Sequence, residues 1–332
     1  MKPRYRLPAA LLLPLLTVLL AVFVAGCDMG PSVSGSFDRS LDVSGPIRLE
    51  LGNVSGDISI AGAADGKVHV HGDVRVGGFG FGSPQDRLKE ILASPPVELK
   101  GDTLRVGRTM SHFHNVSIAY QVELPRNSTI SSSSVSGSQR VHDISATVHL
   151  TSVSGSLEAR NIGSDSRLAS TSGSVTVEQC GDNLRATSVS GSVTVSDAKG
   201  DVLGHSVSGS VTIHNPGGRV DADSSSGSIE VHGGGSDVRA HSGSGSVTIQ
   251  GNPSGNNYWD LKSVSGTVGI AVPSAANFHF SANSVSGQIR AQIPIVVEEQ
   301  GKHSLRAHVG DGGGRVEVHT VSGGIEVQAS GA

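Results

Sequence analysis

The chain has 332 residues, 45 of them Gly and only 3% aromatic. Phe, Tyr and Trp bury the most area per residue, so a chain built on Val, Ile, Ala and Ser reads as a thin structure with closely spaced layers rather than a thick core. The 25 basic and 29 acidic residues leave a formal charge of −4 and form no basic stripe, which argues against a nucleic-acid partner.

Residues 1–26 read as a targeting segment. Lys2, Arg4 and Arg6 form a positive start, 11–24 an apolar run, and Val24-Ala25-Gly26-Cys27 places small residues directly before a cysteine. This resembles the bacterial lipobox and implies a lipoprotein signal peptide, with Cys27 diacylated (palmitate) as the new N-terminus. A plain signal peptide or a signal anchor is the alternative. Two or more acyl chains anchor stably, whereas one holds only marginally. The expectation is a lipid-anchored protein of the bacterial cell envelope, facing the periplasm or the cell surface. Asp28 hints at the inner membrane. Removal of 1–26 leaves 22 basic against 29 acidic residues, and Cys180 as the one remaining thiol, so no intramolecular disulfide forms.

After a 27–36 linker, 37–130 reads as an irregular β region. Ile47-Arg48-Leu49-Glu50-Leu51, Ile58-Ser59-Ile60 and Val68-His69-Val70-His71 alternate in the manner of strands. Gly77 to Gly82 is a glycine-rich loop. Ser83-Pro84-Gln85-Asp86 opens a short helix over 83–94, with Leu88, Ile91 and Leu92 on one face. Strands follow at 99–106 and 116–124. This region is expected to cover the first open coil of what comes next.

From 131 to 332 the chain repeats. Gly137, Gly155, Gly173, Gly191, Gly209, Gly227 and Gly245 stand 18 residues apart, each between two serines; Gly266 and Gly287 follow at 21, and Gly323 after 36, equal to two more units. With Ser133 as column 1, columns 2, 4 and 6 are Ser and column 5 is Gly in all seven 18-residue units. Columns 7 and 9 are apolar around a polar column 8, as in Val193-Thr194-Val195, and columns 16 and 18 are mostly apolar. Each unit thus holds two short strands and two bends, one coil of an all-β, single-stranded parallel β-solenoid. A left-handed hexapeptide helix fails because column 15 is polar, and a calcium-binding β-roll fails because Gly310-Asp311-Gly312-Gly313-Gly314 does not recur.

Parity favours Ser columns 2 and 4 inside, hydrogen-bonded as a ladder, with Val153, Val189 and Val207 of column 3 outside; the reverse places those Val inside and Ser at a corner. Gly191 and its equivalents are expected at positive φ, and Gly200, in the longer turn, is expected to tolerate substitution better than they do.

Residues 54–60 (Val-Ser-Gly-Asp-Ile-Ser-Ile), a helical insertion, Tyr120-Gln121-Val122-Glu123-Leu124-Pro125 and the serial Ser-Val-Ser-Gly-Ser repeats together resemble the DUF4097 putative-adhesin family over residues 37–330. The resemblance implies a β-strand-repeat solenoid on envelope or surface proteins and carries no catalytic residues.

The functional expectation is therefore a non-enzymatic scaffold or adhesin-like binding module without a cofactor. Its partners would be the membrane through the lipid, and an envelope glycan or protein. A carbohydrate-active β-helix enzyme and a sensory component of an envelope-stress pathway are the alternatives. The weak metal candidates are His214 and His232, which share column 10 in adjacent coils about 5 Å apart. His205 and His241 share column 1, and His69/His71 and His112/His114 are i, i+2 pairs. Two ligands fall short of the three or four a site wants. The Thr176, Thr194 and Thr212 column is interrupted by Glu230, against an ice-binding face.

Overall fold

The computed structural model describes residues 32–64, 66–78, 83–107 and 115–330. The expected signal peptide, Cys27, His112/His114 and residues 79–82 of the glycine-rich loop lie outside them. The first strand, Val33–Asp42, begins inside the stretch read as linker.

The middle of the molecule follows from its columns. In the Gly191 coil, strand Leu184–Ser188 buries Leu184, Ala186 and Ser188 and turns Arg185 and Thr187 outward. The chain bends through 189–192, and strand Val193–Ala198 buries Val193, Val195 and Ala198. Every coil sits in parallel register on the next, Leu184 on Val202 and Val193 on Val211, for example. Among the described residues the coils and the strands added at their ends build two sheets, of 14 and 15 strands. The space between them is filled by short aliphatic columns, such as Val175, Val193, Val211 and Ile229, all completely buried. Each such side chain contributes about 1.5–3 kcal/mol relative to exposure.

One inward column escaped the periodicity. Asp143, Asn161, Gln179, Asp197 and Asn215 in column 11 have φ between 49° and 61°. That left-handed residue shifts the strand's parity, so column 12 points inward after column 9: Ile144, Ile162, Cys180 and Ala198 are buried. Asn and Asp tolerate this conformation best among residues with a Cβ.

The Ser-Val-Ser-Gly bend corrects two expectations. Only column 2 Ser is inside; Ser154 and Ser172 of column 4 are exposed like the column 3 residues before them, because the strand ends at column 2 and parity stops there. The buried hydroxyls do not bond to one another. Ser188 Oγ donates to Gly173 O of the preceding coil and accepts from Gly191 N–H, both at 2.9 Å, and Ser206 repeats the pattern with Gly191 and Gly209. Ser188 and Ser206 are thus satisfied in both roles.

The glycines are required for a different reason than the sequence suggests. Of the corner glycines, Gly56 and Gly137 have positive φ. At Gly191 the constraint is the neighbouring coil: a Cβ would press into the Gly173 carbonyl and stand 2.6 Å from Ser174 N. Gly200 is no freer, since a Cβ there would lie 2.6 Å from the Asp182 carbonyl carbon and 2.7 Å from Asn183 N. Its expected tolerance is not supported by this packing.

Stacking order departs from chain order at both ends. Gly323 packs on Gly266, and Gly287 packs on Gly323. The coil of Gly314–Thr320 and Ile325–Ala329 therefore slots between the coils of Gly266 and Gly287, and the 36-residue interval is not two stacked units. The N-terminal end mirrors this. Arg48–Ser55 and Ile58–Ala63 pair inward with Thr129–Ser136 and Gln139–Ile144, and outward with Thr103–Val106 and Val116–Pro125.

Antiparallel strands close both ends. Val33–Asp42 and Lys67–Val76 extend the sheet beyond Val116–Pro125, while Val97–Lys100 pairs with Thr103–Val106. At the other end, Ser304–Val309 pairs with Phe278–Ser284 and Val296–Gln300 follows it. The helix, Pro84–Ala93, packs on Val33–Asp42 and Lys67–Val76, burying Ile91 and Arg87, whose Nη2 donates to Gly77 O at 2.8 Å.

Candidate functional site

Three surfaces carry side chains that the core does not use. The first is the bend. Among the described residues eleven corners stack from Gly56 to Gly287, and their column 3 residues run in space as Val54, Val135, Val153, Thr171, Val189, Val207, Ser225, Gly243, Val264, Val321 and Val285. The eight valines are 38–68% exposed. Main-chain bonds such as Ser190 N to Thr171 O (2.9 Å), Ser322 N to Val264 O (2.9 Å) and Ser286 N to Val321 O (3.0 Å) hold the row in register. Columns 2–6 of these eleven corners contain a single charged residue, Asp57.

The second surface is the outside of the 14-stranded sheet. His214 and His232 do meet, rings stacked 4.9 Å apart at 11°. His232 Nδ1 lies 3.1 Å from Gln250 Oε1, and its Nε2 3.8 Å from Glu230 Oε2. Among the described residues, no group of three or more His, Cys, Asp and Glu is arranged to hold a metal ion. On the same sheet Arg160 Nε bridges Glu158 (2.7 Å) and Glu178 (3.4 Å) beside a shallow cavity of about 420 Å³.

The third surface is the outside of the 15-stranded sheet. His205 and His241 flank Asp223 in register. His241 Nδ1 lies 3.9 Å from Asp223 Oδ1, its Nε2 is 3.1 Å from Asp260 Oδ2, and Lys262 Nζ is 2.8 Å from the same oxygen. Burial, then the neighbouring Asp221, raises the Asp223 pKa. Burial alone would raise Asp260 too, but hydrogen bonds from Lys262 and His241 outweigh it and hold its pKa below the usual value. The column reading found His205 and His241 but missed Asp260, because the longer turn before Tyr258–Ser263 hides its register until those residues are set aside.

His69 and His71 are structural. They bond to Ser40 Oγ (2.9 Å) and Asp38 Oδ1 (2.8 Å), joining Val33–Asp42 to Lys67–Val76. Near that end a groove of about 790 Å³ runs beside Gly56, lined by Asp57, Asp73, Arg75 and several serines.

Residues 219–328 match the Toastrack DUF4097 family. The Toastrack segment takes in the coils of Gly227, Gly245 and Gly266 and most of the out-of-order end, in line with the resemblance carried by the Ser-Val-Ser-Gly repeats. No curated protein matches the chain.

Among solved structures, a "putative adhesin" from Bacteroides fragilis aligns at 14% identity and a TM-score of 0.38, covering 88% of this chain and 97% of its own. A "putative lipid binding protein" from Parabacteroides distasonis gives 11% and 0.33, with coverage of 88% and 96%. A "putative cell adhesion protein" from Clostridium sporogenes gives 11% and 0.23, with 90% and 100%.

Proposed function

We propose that this chain is a non-enzymatic binding and scaffold module of the bacterial envelope. In this reading 1–26 is a signal peptide, Cys27 carries the lipid, the residues between Cys27 and the first strand, Val33–Asp42, tether, the region up to 130 closes the N-terminal end and adds the Val54 corner, and 131–332 presents the rest of the interaction surface. The observation that carries the reading is the valine row on a corner whose one charged residue is Asp57. Eight exposed valines in one line contribute nothing to the core, and contiguous exposed apolar surface marks interaction sites.

Site-specific photo-crosslinking in cells tests it. A photoreactive residue at Val153 should yield adducts of higher mass, and one at Thr194 on the sheet face should not. Equal yields at both, or none at Val153, overturn the corner as a binding surface. Anchoring is tested separately: Cys27→Ser should abolish palmitate labelling and leave the precursor unprocessed, and normal maturation of that variant excludes the lipoprotein reading.

A second reading, an enzyme acting on envelope polysaccharide, is favoured by one observation: Asp223 and Asp260, joined through His241, have pKa values pushed in opposite directions. It predicts polysaccharide cleavage by the purified chain that Asp223→Asn and Asp260→Asn each abolish.

A further inference from the structure

We infer that the partner of the corner is a second copy of this chain, docked antiparallel with its two-fold axis at Val207. The inference rests on the corner being a binding surface, and three features of that surface select the occupant.

The first is period. Corners of parallel coils repeat every 4.8 Å or so, whereas same-face residues along an extended chain repeat at nearly 7 Å. Only another stack of coils keeps step with this row over its whole length.

The second is the order of residues. Among the described residues Val207 is the sixth of eleven corners, so a two-fold axis through it pairs each of these corners with its mirror position. Val54 then faces Val285, Val135 faces Val321 and Val153 faces Val264. Of the three positions without valine, Thr171 and Gly243 face each other and Ser225 faces Val189, so four of the six kinds of pair are valine on valine.

The third is charge. Without its first 26 residues the chain carries 22 basic and 29 acidic residues, so two copies repel. The corner, with Asp57 as its one charge at the far N-terminal end, lets them meet without like charges facing each other. A strip about 50 Å long and about 10 Å wide buries about 1,000 Å² in total, at the lower edge of specific interfaces. The pair is accordingly weak in solution and strengthened when both copies share one membrane surface, which raises their effective concentration.

Sedimentation of the purified full chain, with detergent where lipid is attached, tests the pairing. A concentration-dependent monomer–dimer equilibrium is expected. Val207→Lys, which sets two charges face to face on the axis, should weaken it at least tenfold with unchanged circular dichroism; Thr194→Lys should leave it unaltered. Oxidation of Val207→Cys should trap a dimer. Val153→Cys should cross-link to Val264→Cys and not to itself.

A monomer at all accessible concentrations, or a dimer indifferent to Val207→Lys, overturns the inference. Self-linkage of Val153→Cys replaces the antiparallel register with a parallel one and overturns the assignment as stated. Should the cellular adducts at Val153 contain another molecule while the purified chain stays monomeric, the corner remains a binding surface and the second copy is excluded as its partner.

Discussion

The middle coils and the two ends solve the same problem by opposite means. Between Gly137 and Gly245 every coil has neighbours nearly identical to itself, so each column needs only one local solution, repeated. At the ends there is no next coil, and an open parallel edge would present unpaired N–H and C=O groups to any other chain. Both ends answer by sending the chain out, adding antiparallel strands, and returning a coil that is locked between two others. The first repeat coil, Arg48–Ser55 with Ile58–Ala63, and the last, Gly314–Thr320 with Ile325–Ala329, are both interior in space. Regular repetition makes the middle modular. The out-of-order return makes the ends cooperative over long sequence separations.

The largest test of that contrast is deletion. Removing residues 183–200 excises one period and sets the Gly209 coil on the Gly173 coil with all columns matched. Such a chain should fold and melt only a few degrees lower, as nearest-neighbour solenoids do. Ending the chain after residue 313 removes nearly the same length but leaves the Gly266 and Gly287 coils without their shared neighbour. Thermal melts and limited proteolysis should show that end opened, with a loss of about 10 °C or more, taking roughly 2–4 °C per kcal/mol for a domain of this size. Equal melting of the two deletions would refute the claim that the ends differ from the middle.

Glycine substitution comes next. Gly191→Val forces a branched side chain against the Gly173 carbonyl, which can retreat only if the coils separate, so a cost of roughly 3 kcal/mol or more is expected. Gly45 lies in the end region with nothing within 4 Å of its Cβ direction, and Gly45→Ala should be neutral within about 0.5 kcal/mol. Denaturant melts decide this pair; similar losses would mean that stacking is not what the corner glycine serves.

Serine gives a smaller and sharper contrast within one bend. Ser188→Ala leaves the Gly191 N–H and the Gly173 carbonyl without their partner in a buried place, at a cost of about 1–3 kcal/mol. Ser190, two residues on and exposed, should cost under about 0.5 kcal/mol when changed to Ala.

The sequence made the middle legible because one local geometry repeats there: Val193-Thr194-Val195 reads inside-outside-inside, and the structure agrees. Periodicity failed where the backbone broke its own parity. Asp197 at φ 57° turns Ala198 back into the core, and the strand stops at Ser188, so Ser190 faces water. The Ser-Gly-Ser bends were legible as bends, but their reason was not, since the obstacle at Gly191 belongs to the coil before it. At the ends, nothing in the spacing of Gly266, Gly287 and Gly323 shows which coil lies inside; long-range pairing decides that. Of the candidate surfaces, the stacked His214 and His232 were visible from the column. The valine row was visible only as a residue left outside, and its full order needed the fold.

The smallest effect belongs to the N-terminal end and depends on pH. His71 lies on the strand Lys67–Val76, and its pKa is raised, chiefly by the hydrogen bond to Asp38 on Val33–Asp42, with burial opposing and Asp73 adding to the rise. A histidine that binds its proton more tightly when folded stabilises the fold fully below its unfolded pKa of about 6.5, and that contribution fades as pH rises through the raised value. The outermost strand should therefore be held more firmly at pH 6 than at pH 8. Asp38 is well exposed, so the contribution is that of a screened surface pair and the change is slight. Hydrogen exchange, corrected for the intrinsic pH dependence of amide exchange, should show lower protection for amides of Val33–Asp42 at the higher pH. His71→Gln should remove the difference between the two pH values. Amides in Val193–Ala198, which has no histidine, should be indifferent to both changes. If the middle strand loosened as much as the outer one, the pH response would come from the net charge of the whole chain rather than from the contact between His71 and Asp38.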